Sequence, residues 1–160
     1  MNVRASAWFV GVVTAIALIV FACARGDRAA EYLTHVEEAQ HSASLDAATG
    51  ELGRARTLLL NALALQAPDE LASEDVRRIR QDLYFLLASV ELETGNDERA
   101  LEAADAGIAL GGEREIFAAN LWLVKGQAFE SQGRAVEAAR AYHRALEINA
   151  ALFVEAMEAQ

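Results

Sequence analysis

The side chains of this 160-residue chain that could do chemistry are three histidines, one cysteine and several paired acids. His35, His41 and His143 fall on separate segments, and the six-residue step from His35 to His41 puts those two on different faces of a helix. No metal-ligand spacing results. Cys23 is the only cysteine, which excludes an intrachain disulfide and any zinc site built on a cysteine cluster. The acidic pairs Glu37-Glu38 and Glu74-Asp75 read as a solvated face of an acidic, helix-forming chain. Arg77, Arg78 and Arg80 form a small basic cluster, read as a neighbour of those acids and not as an anion site. Gly111-Gly112 marks a helix end, there is no Gly-rich phosphate loop, and no serine sits in a nucleophile elbow. These residues compose no catalytic constellation, so neither an enzyme nor a cofactor is expected.

Charge narrows the partners further. The formal net charge is -10, and residues 25–160 hold every acid and every basic residue but Arg4. An acidic body of this kind repels nucleic acid phosphates, so no nucleic acid partner is expected. Arginine supplies all the basic residues except Lys125, from which no function follows.

Alanine, leucine, glutamate and arginine dominate, and Pro68 is the single proline. These residues lose little side-chain freedom in a helix, so the chain reads as all-α. The hydrophobic fraction is 54%, and much of the excess lies between Ala7 and Ala24, where no residue is charged. A helix of about 18 residues rises roughly 27 Å, near the thickness of a bilayer's hydrocarbon core. Residues 1–24 therefore read as a membrane-directed segment, with three alternatives open. It is an uncleaved signal anchor, a bacterial lipoprotein signal, or an ordinary cleavable peptide ending near Ala22-Cys23-Ala24. Val20-Phe21-Ala22-Cys23 resembles a lipobox in which Cys23 is the lipidated residue, although Phe21 departs from the small or aliphatic residue usual there. The flanking charges decide orientation weakly, with Arg4 on one side and Arg25, Asp27 and Arg28 on the other. The short N-terminal tail favours export of the long C-terminal part. The expected location is the bacterial inner membrane with a periplasmic repeat domain, or a lipoprotein.

Beyond that segment the chain repeats. Thr49–Leu65, Thr94–Leu110 and Gln132–Ile148 align on Gly50, Gly95 and Gly133, then on Ala55, Ala100 and Ala138 five residues later. A small residue follows at Ala62, Gly107 and Ala145, beside Leu63, Ile108 and Leu146, with Leu65, Leu110 and Ile148 two further on. The glycines suit turns between helices that need positive φ. The alanines suit close helix approach, and the aliphatic columns suit the groove between units.

The segment before Gly133 makes the pattern specific. Trp122, Gly126, Phe129, Gly133, Ala138, Tyr142 and Ala145 follow the order and spacing that resembles the tetratricopeptide repeat family, with Ala150 in place of its closing proline. The second unit keeps Tyr84, Leu87, Ala88, Gly95, Ala100 and Ala104 but has Glu91 where an aromatic is usual. In the first, Ala39 and Asp46 replace both aromatics, and Pro68 stands near the closing position. Another αα-hairpin solenoid would share these features.

The resemblance implies an all-α solenoid of about three antiparallel helix hairpins over residues 27–150, with residues 151–160 as a short capping helix. Helices are expected at Asp27–Ala47, Glu51–Gln66, Glu74–Thr94, Asp97–Leu110, Glu113–Ser131 and Ala135–Asn149, with caps at Asp69 and Ser73. Leu152, Phe153 and Met157 are expected to cover the open end of the last unit, and Trp122 to be buried between helices. The resemblance also implies a concave face lined by the first helix of each unit. Its lining residues are Asp82, Phe85, Ser89 and Leu92 in the second unit and Asn120, Leu123, Gln127 and Glu130 in the third. Leu86, Asn120 and Val124 stand where family members that grip chaperone C-termini carry clamp residues, and the clamp lysines are absent. A mixed apolar and polar lining suits an amphipathic helix or extended segment of a partner protein. The function expected is a membrane-tethered adaptor or assembly factor for an envelope complex. The alternative is a structural accessory subunit whose apolar helix packs on other spans through Gly11, Ala15 and Ala17. A second copy of the chain is a further candidate partner.

Overall fold

The computed structural model describes residues 27–112 and 115–159. The apolar segment and the lipidation candidate Cys23 lie outside them. Among the described residues there are six helices and no strand. They are α1 (27–48), α2 (Leu52–Ala64), α3 (Ser73–Glu93), α4 (Asp97–Ala109), α5 (Ile116–Ser131) and α6 (Ala135–Glu158). Among the described residues no helix is long and apolar enough to cross a membrane.

The Gly–Ala spacing has a direct physical origin. Gly50, Gly95 and Gly133 adopt φ of 83°, 75° and 71°, the left-handed region that an L side chain resists. Each closes a Schellman turn. At the second, the Gly95 N–H donates to Leu92 O (3.0 Å) and the Asn96 N–H donates to Glu91 O (2.8 Å). At the third, Gly133 donates to Glu130 O (2.9 Å) and Arg134 to Phe129 O (2.8 Å). The residue after each glycine also opens the next helix, because Ala55, Ala100 and Ala138 donate to the carbonyls of Glu51, Asn96 and Arg134. The glycine ends one helix, its neighbour starts the next, and the alanine sits one turn in. A turn this short folds the second helix directly onto the first. A methyl side chain suits that close approach, and all three alanines are buried.

These three turns join α1 to α2, α3 to α4 and α5 to α6. α3 then packs on α2, α4 and α5. The main core gathers Tyr32 and Val36 of α1, Leu59 of α2, Leu83 and Leu87 of α3, Ala104 of α4 and Val124 of α5. A smaller cluster holds Ala118, Ala119 and Ile148, with Trp122 and Leu152 against it. Two glycines make room for neighbours within helices. A Cβ on Gly126 would stand 2.4 Å from Tyr142 Cε1, and one on Gly107 would stand 2.8 Å from both Leu121 methyls.

Most helix ends fall within a residue or two of expectation, and four of the departures have a local reason or consequence. α2 stops at Ala64, and the freed Leu65 carbonyl accepts from Arg80 Nη2 (3.2 Å). α3 has Ala72 at its N-cap without a side-chain cap, so Ser73 is a helical residue and neither it nor Asp69 caps. Glu74 and Asp75 in the first turn favour that end through the helix dipole. Among described residues α5 begins at Ile116, after the positive-φ pair Gly111 and Gly112. Residues 151–158 continue α6 without a break, because Ala150 has no proline's power to end it.

Candidate functional site

The expected lining residues fall into two groups. In α3, Asp82, Phe85, Ser89 and Leu92 are half-buried. Phe85 and Leu92 pack against the main core, so both serve the fold. Asp82 accepts from Gln40 Nε2 of α1 at 2.6 Å, and burial holds its carboxyl above the ordinary aspartate range. Ser89 Oγ donates to its own helix at Phe85 O (2.9 Å). In α5 the lining is more open. Asn120 is half-buried, while Leu123 is 44% exposed and Gln127 and Glu130 are exposed. Glu130 accepts from the Tyr142 hydroxyl of α6 at 2.5 Å. Burial first and this acid second push the tyrosine up to about 12.

The acid-for-aromatic replacements have structural partners that the sequence reading missed. Asp46, Glu91 and Phe129 occupy the same place, four residues before the turn glycine. Asp46 meets Arg54 Nε at 3.5 Å, and Glu91 accepts from Arg56 Nε at 2.5 Å and Asn96 Nδ2 at 3.1 Å. Phe129 instead stacks under the Arg134 guanidinium, 4.3 Å from its centroid. In the first and third hairpins the arginine comes from just after the turn, whereas Glu91 of the second takes Arg56 from α2 of the hairpin before it.

The arginine cluster on α3 has structural partners. Arg77 grips Glu115 with two bonds, Nη1 to Oε2 at 3.1 Å and Nη2 to Oε1 at 2.8 Å. Arg78 Nε adds a third at 3.2 Å. Hydrogen bonding from Arg77 holds the Glu115 carboxyl below its usual range, with Arg78 adding to the effect. Beside this clamp the buried Gln81 donates to Gly107 O (3.3 Å) and Gly111 O (2.6 Å). These two contacts fix the α4–α5 connection on α3. Gln81 gave no signal in the sequence, because a glutamine on a helix ordinarily faces water.

Trp122 is half-buried, less than expected, since α6 covers one of its faces. Lys125 Nζ lies 5.0 Å from its ring centroid and pairs with Asp105 of α4. His35, His41 and His143 are all exposed. Among the described residues there is no group of three His, Cys, Asp or Glu side chains that could hold a metal ion. Neither the known protein-family models nor the curated proteins include a match to this chain.

Proposed function

We propose that this chain is a membrane-tethered adaptor or assembly factor of tetratricopeptide type, acting on an envelope complex by binding a helix or extended segment of another protein. The observation that carries the reading is the open stretch of α5. Leu123, Gln127 and Glu130 are exposed on one helix, next to α3. A spaced apolar and amide pair of this kind, held on a rigid helix, suits a peptide that offers one apolar side chain and backbone hydrogen bonds. Three supports bear on the family reading. The Gly–Ala turn recurs in each hairpin. First helices neighbour one another, through the Gln40–Asp82 bond between α1 and α3 and the packing of α3 on α5. Gly126 leaves the space that the Tyr142 ring fills, which gives that pair of motif positions a shared physical role.

The tether rests on residues 1–24, in which either a spanning helix or an acyl chain on Cys23 would hold the body near its clients. Tethering raises the effective concentration of a weak binder, which suits a modest groove.

Site-specific photocrosslinking in the native membrane tests the groove. A photoreactive side chain at Leu123 or Gln127 should give one shared, discrete protein adduct. The same group at the exposed Arg99 of α4 should not. Adducts that are equal from all three positions, or absent from the first two, would remove the groove from the proposal. Intact mass of the membrane-extracted chain tests the tether, with either an unprocessed chain or an acylated Cys23 expected. A truncated, unmodified product would overturn it.

A further inference from the structure

α6 is 24 residues long against 13 for both α2 and α4, and it carries two apolar faces where one suffices for the hairpin. Ala138, Ala141, Ala145 and Ile148 are buried on one face, and Leu152 joins the small cluster beyond them. The other face is open. Val136 is 63% exposed, Leu146 66%, Phe153 68% and Met157 60%. Phe153 and Met157 therefore do not cover the open end of the last unit as the sequence suggested. With exposed Ala139, His143 and Ala150 between them, the open residues recur at alternating steps of three and four. That is a heptad seam, the spacing a helix uses to pack along another helix. On the matching face of α4 the central position is polar and paired within the chain: Asp105, which aligns with His143 on the turn glycines, pairs with Lys125 of α5. No described element does the same for α6.

We infer that this seam binds a second copy of the chain, α6 against α6 in antiparallel register. The sequence of the seam is complementary to itself in that direction. Antiparallel pairing sets Val136 against Phe153, Ala139 against Ala150 and His143 against Leu146 of the other copy. The small layer lets the helices approach closely on either side of the centre, and large residues fill the two ends. The same register brings Arg140, beside the seam, to Glu147 of the other copy, and the two-fold axis makes this contact twice. Glu147 also has local partners, His143 Nε2 at 3.2 Å and Arg144 Nη1 at 3.1 Å, so the second copy extends an existing charge network. A parallel pair would instead stack His143 on His143 and leave Arg140 without an acid opposite.

The test uses the full chain in detergent, with Cys23→Ser so that introduced cysteines are unique. Ala139→Cys and Ala150→Cys chains are prepared separately, then mixed and oxidised. The mixture should yield a disulfide-linked dimer containing one of each, and either chain alone should yield little. Light scattering of the Cys23→Ser chain should give about twice the protein mass of one chain. Leu146→Glu should weaken association about tenfold or more at unchanged helicity. Arg140→Glu should weaken it too, and adding Glu147→Arg should restore it. Cross-linking of Ala139→Cys to itself would overturn the antiparallel register. A single-chain mass would overturn the dimer, whether the introduced thiols then label freely or are protected by another part of the same chain. Because the read-outs involve only this chain, failure here leaves the groove on α5 standing, and failure there leaves the seam.

Discussion

At the residue scale the decisive positions are those where one atom more or less changes the packing. Gly126 and Gly53 are both helical glycines, yet they predict opposite outcomes on replacement by alanine. A Cβ at Gly126 meets the Tyr142 ring at 2.4 Å, and the ring is held by its hydroxyl contact to Glu130. Gly126→Ala should destabilise the fold by about 1–3 kcal/mol. At Gly53 nothing lies within 4 Å, so Gly53→Ala should stabilise α2 by about 0.5–1 kcal/mol through helix propensity alone. Paired denaturant titrations check the sign of each. Tyr142 itself supplies a pH signature. Its folded pKa lies near 12, above the ordinary tyrosine value of 10.0, so its contribution is fully present below pH 10 and is lost as pH rises toward 12. Tyr142→Phe should cost about 0.5–1.5 kcal/mol at pH 7. The gap between wild type and variant should narrow above pH 10. A constant gap would mean that the hydroxyl contributes through packing only.

At the element scale the hairpin turn is the unit that repeats. The glycine at each turn has open space around it, with nothing within 4 Å of a Cβ built on Gly50, Gly95 or Gly133. The demand is therefore on the backbone and not on room. Gly133→Val should cost about 1–2 kcal/mol, the penalty for left-handed geometry in an L residue, and more for its branching. Gly133→Asn should cost less, because asparagine tolerates that region. Thermal melts of the two variants against wild type check the order. Equal costs would show that the residue's size, and not its φ, matters there. The Gly–Ala columns were legible in the sequence because a turn is a local event, settled within six residues. The ends of α2 and α3 were less so. Leu65 leaves the helix where its carbonyl can meet Arg80, a contact that depends on α3.

At the scale of the whole molecule, the second and third hairpins are joined by the clamp of Arg77 and Arg78 on Glu115 as well as by the core. Glu115 has a lowered carboxyl pKa, so its contribution is present above the ordinary value of 4.5 and is lost as pH falls below it. Glu115→Gln should destabilise the chain by roughly 1 kcal/mol at pH 7, a partly exposed clamp being screened by solvent. As pH falls below 4.5 the gap between the variant and wild type should close. Hydrogen exchange should report the loss first at the start of α5.

The sequence by itself determined what local chemistry can determine. The all-helical class follows from composition, and the three turns follow from glycine and alanine at fixed steps. The columns of small residues marked where helices meet, since short side chains suit the burial now seen at Ala55, Ala100 and Ala138 and only a glycine leaves room for Tyr142 at Gly126. Of the proposed groove, the sequence could name positions on a helix face but not their surroundings. Phe85 and Leu92 look the same as Leu123 in a list of spacings. Tertiary structure separates them, because Phe85 and Leu92 pack on the main core while Leu123 stays largely open. It likewise buries Gln81 and Glu91, whose polar atoms find partners 26 and 35 residues away. It also leaves Leu146, Phe153 and Met157 open on α6. Burial is a property of the neighbours that arrive, and for an amphipathic helix those neighbours lie outside the local sequence.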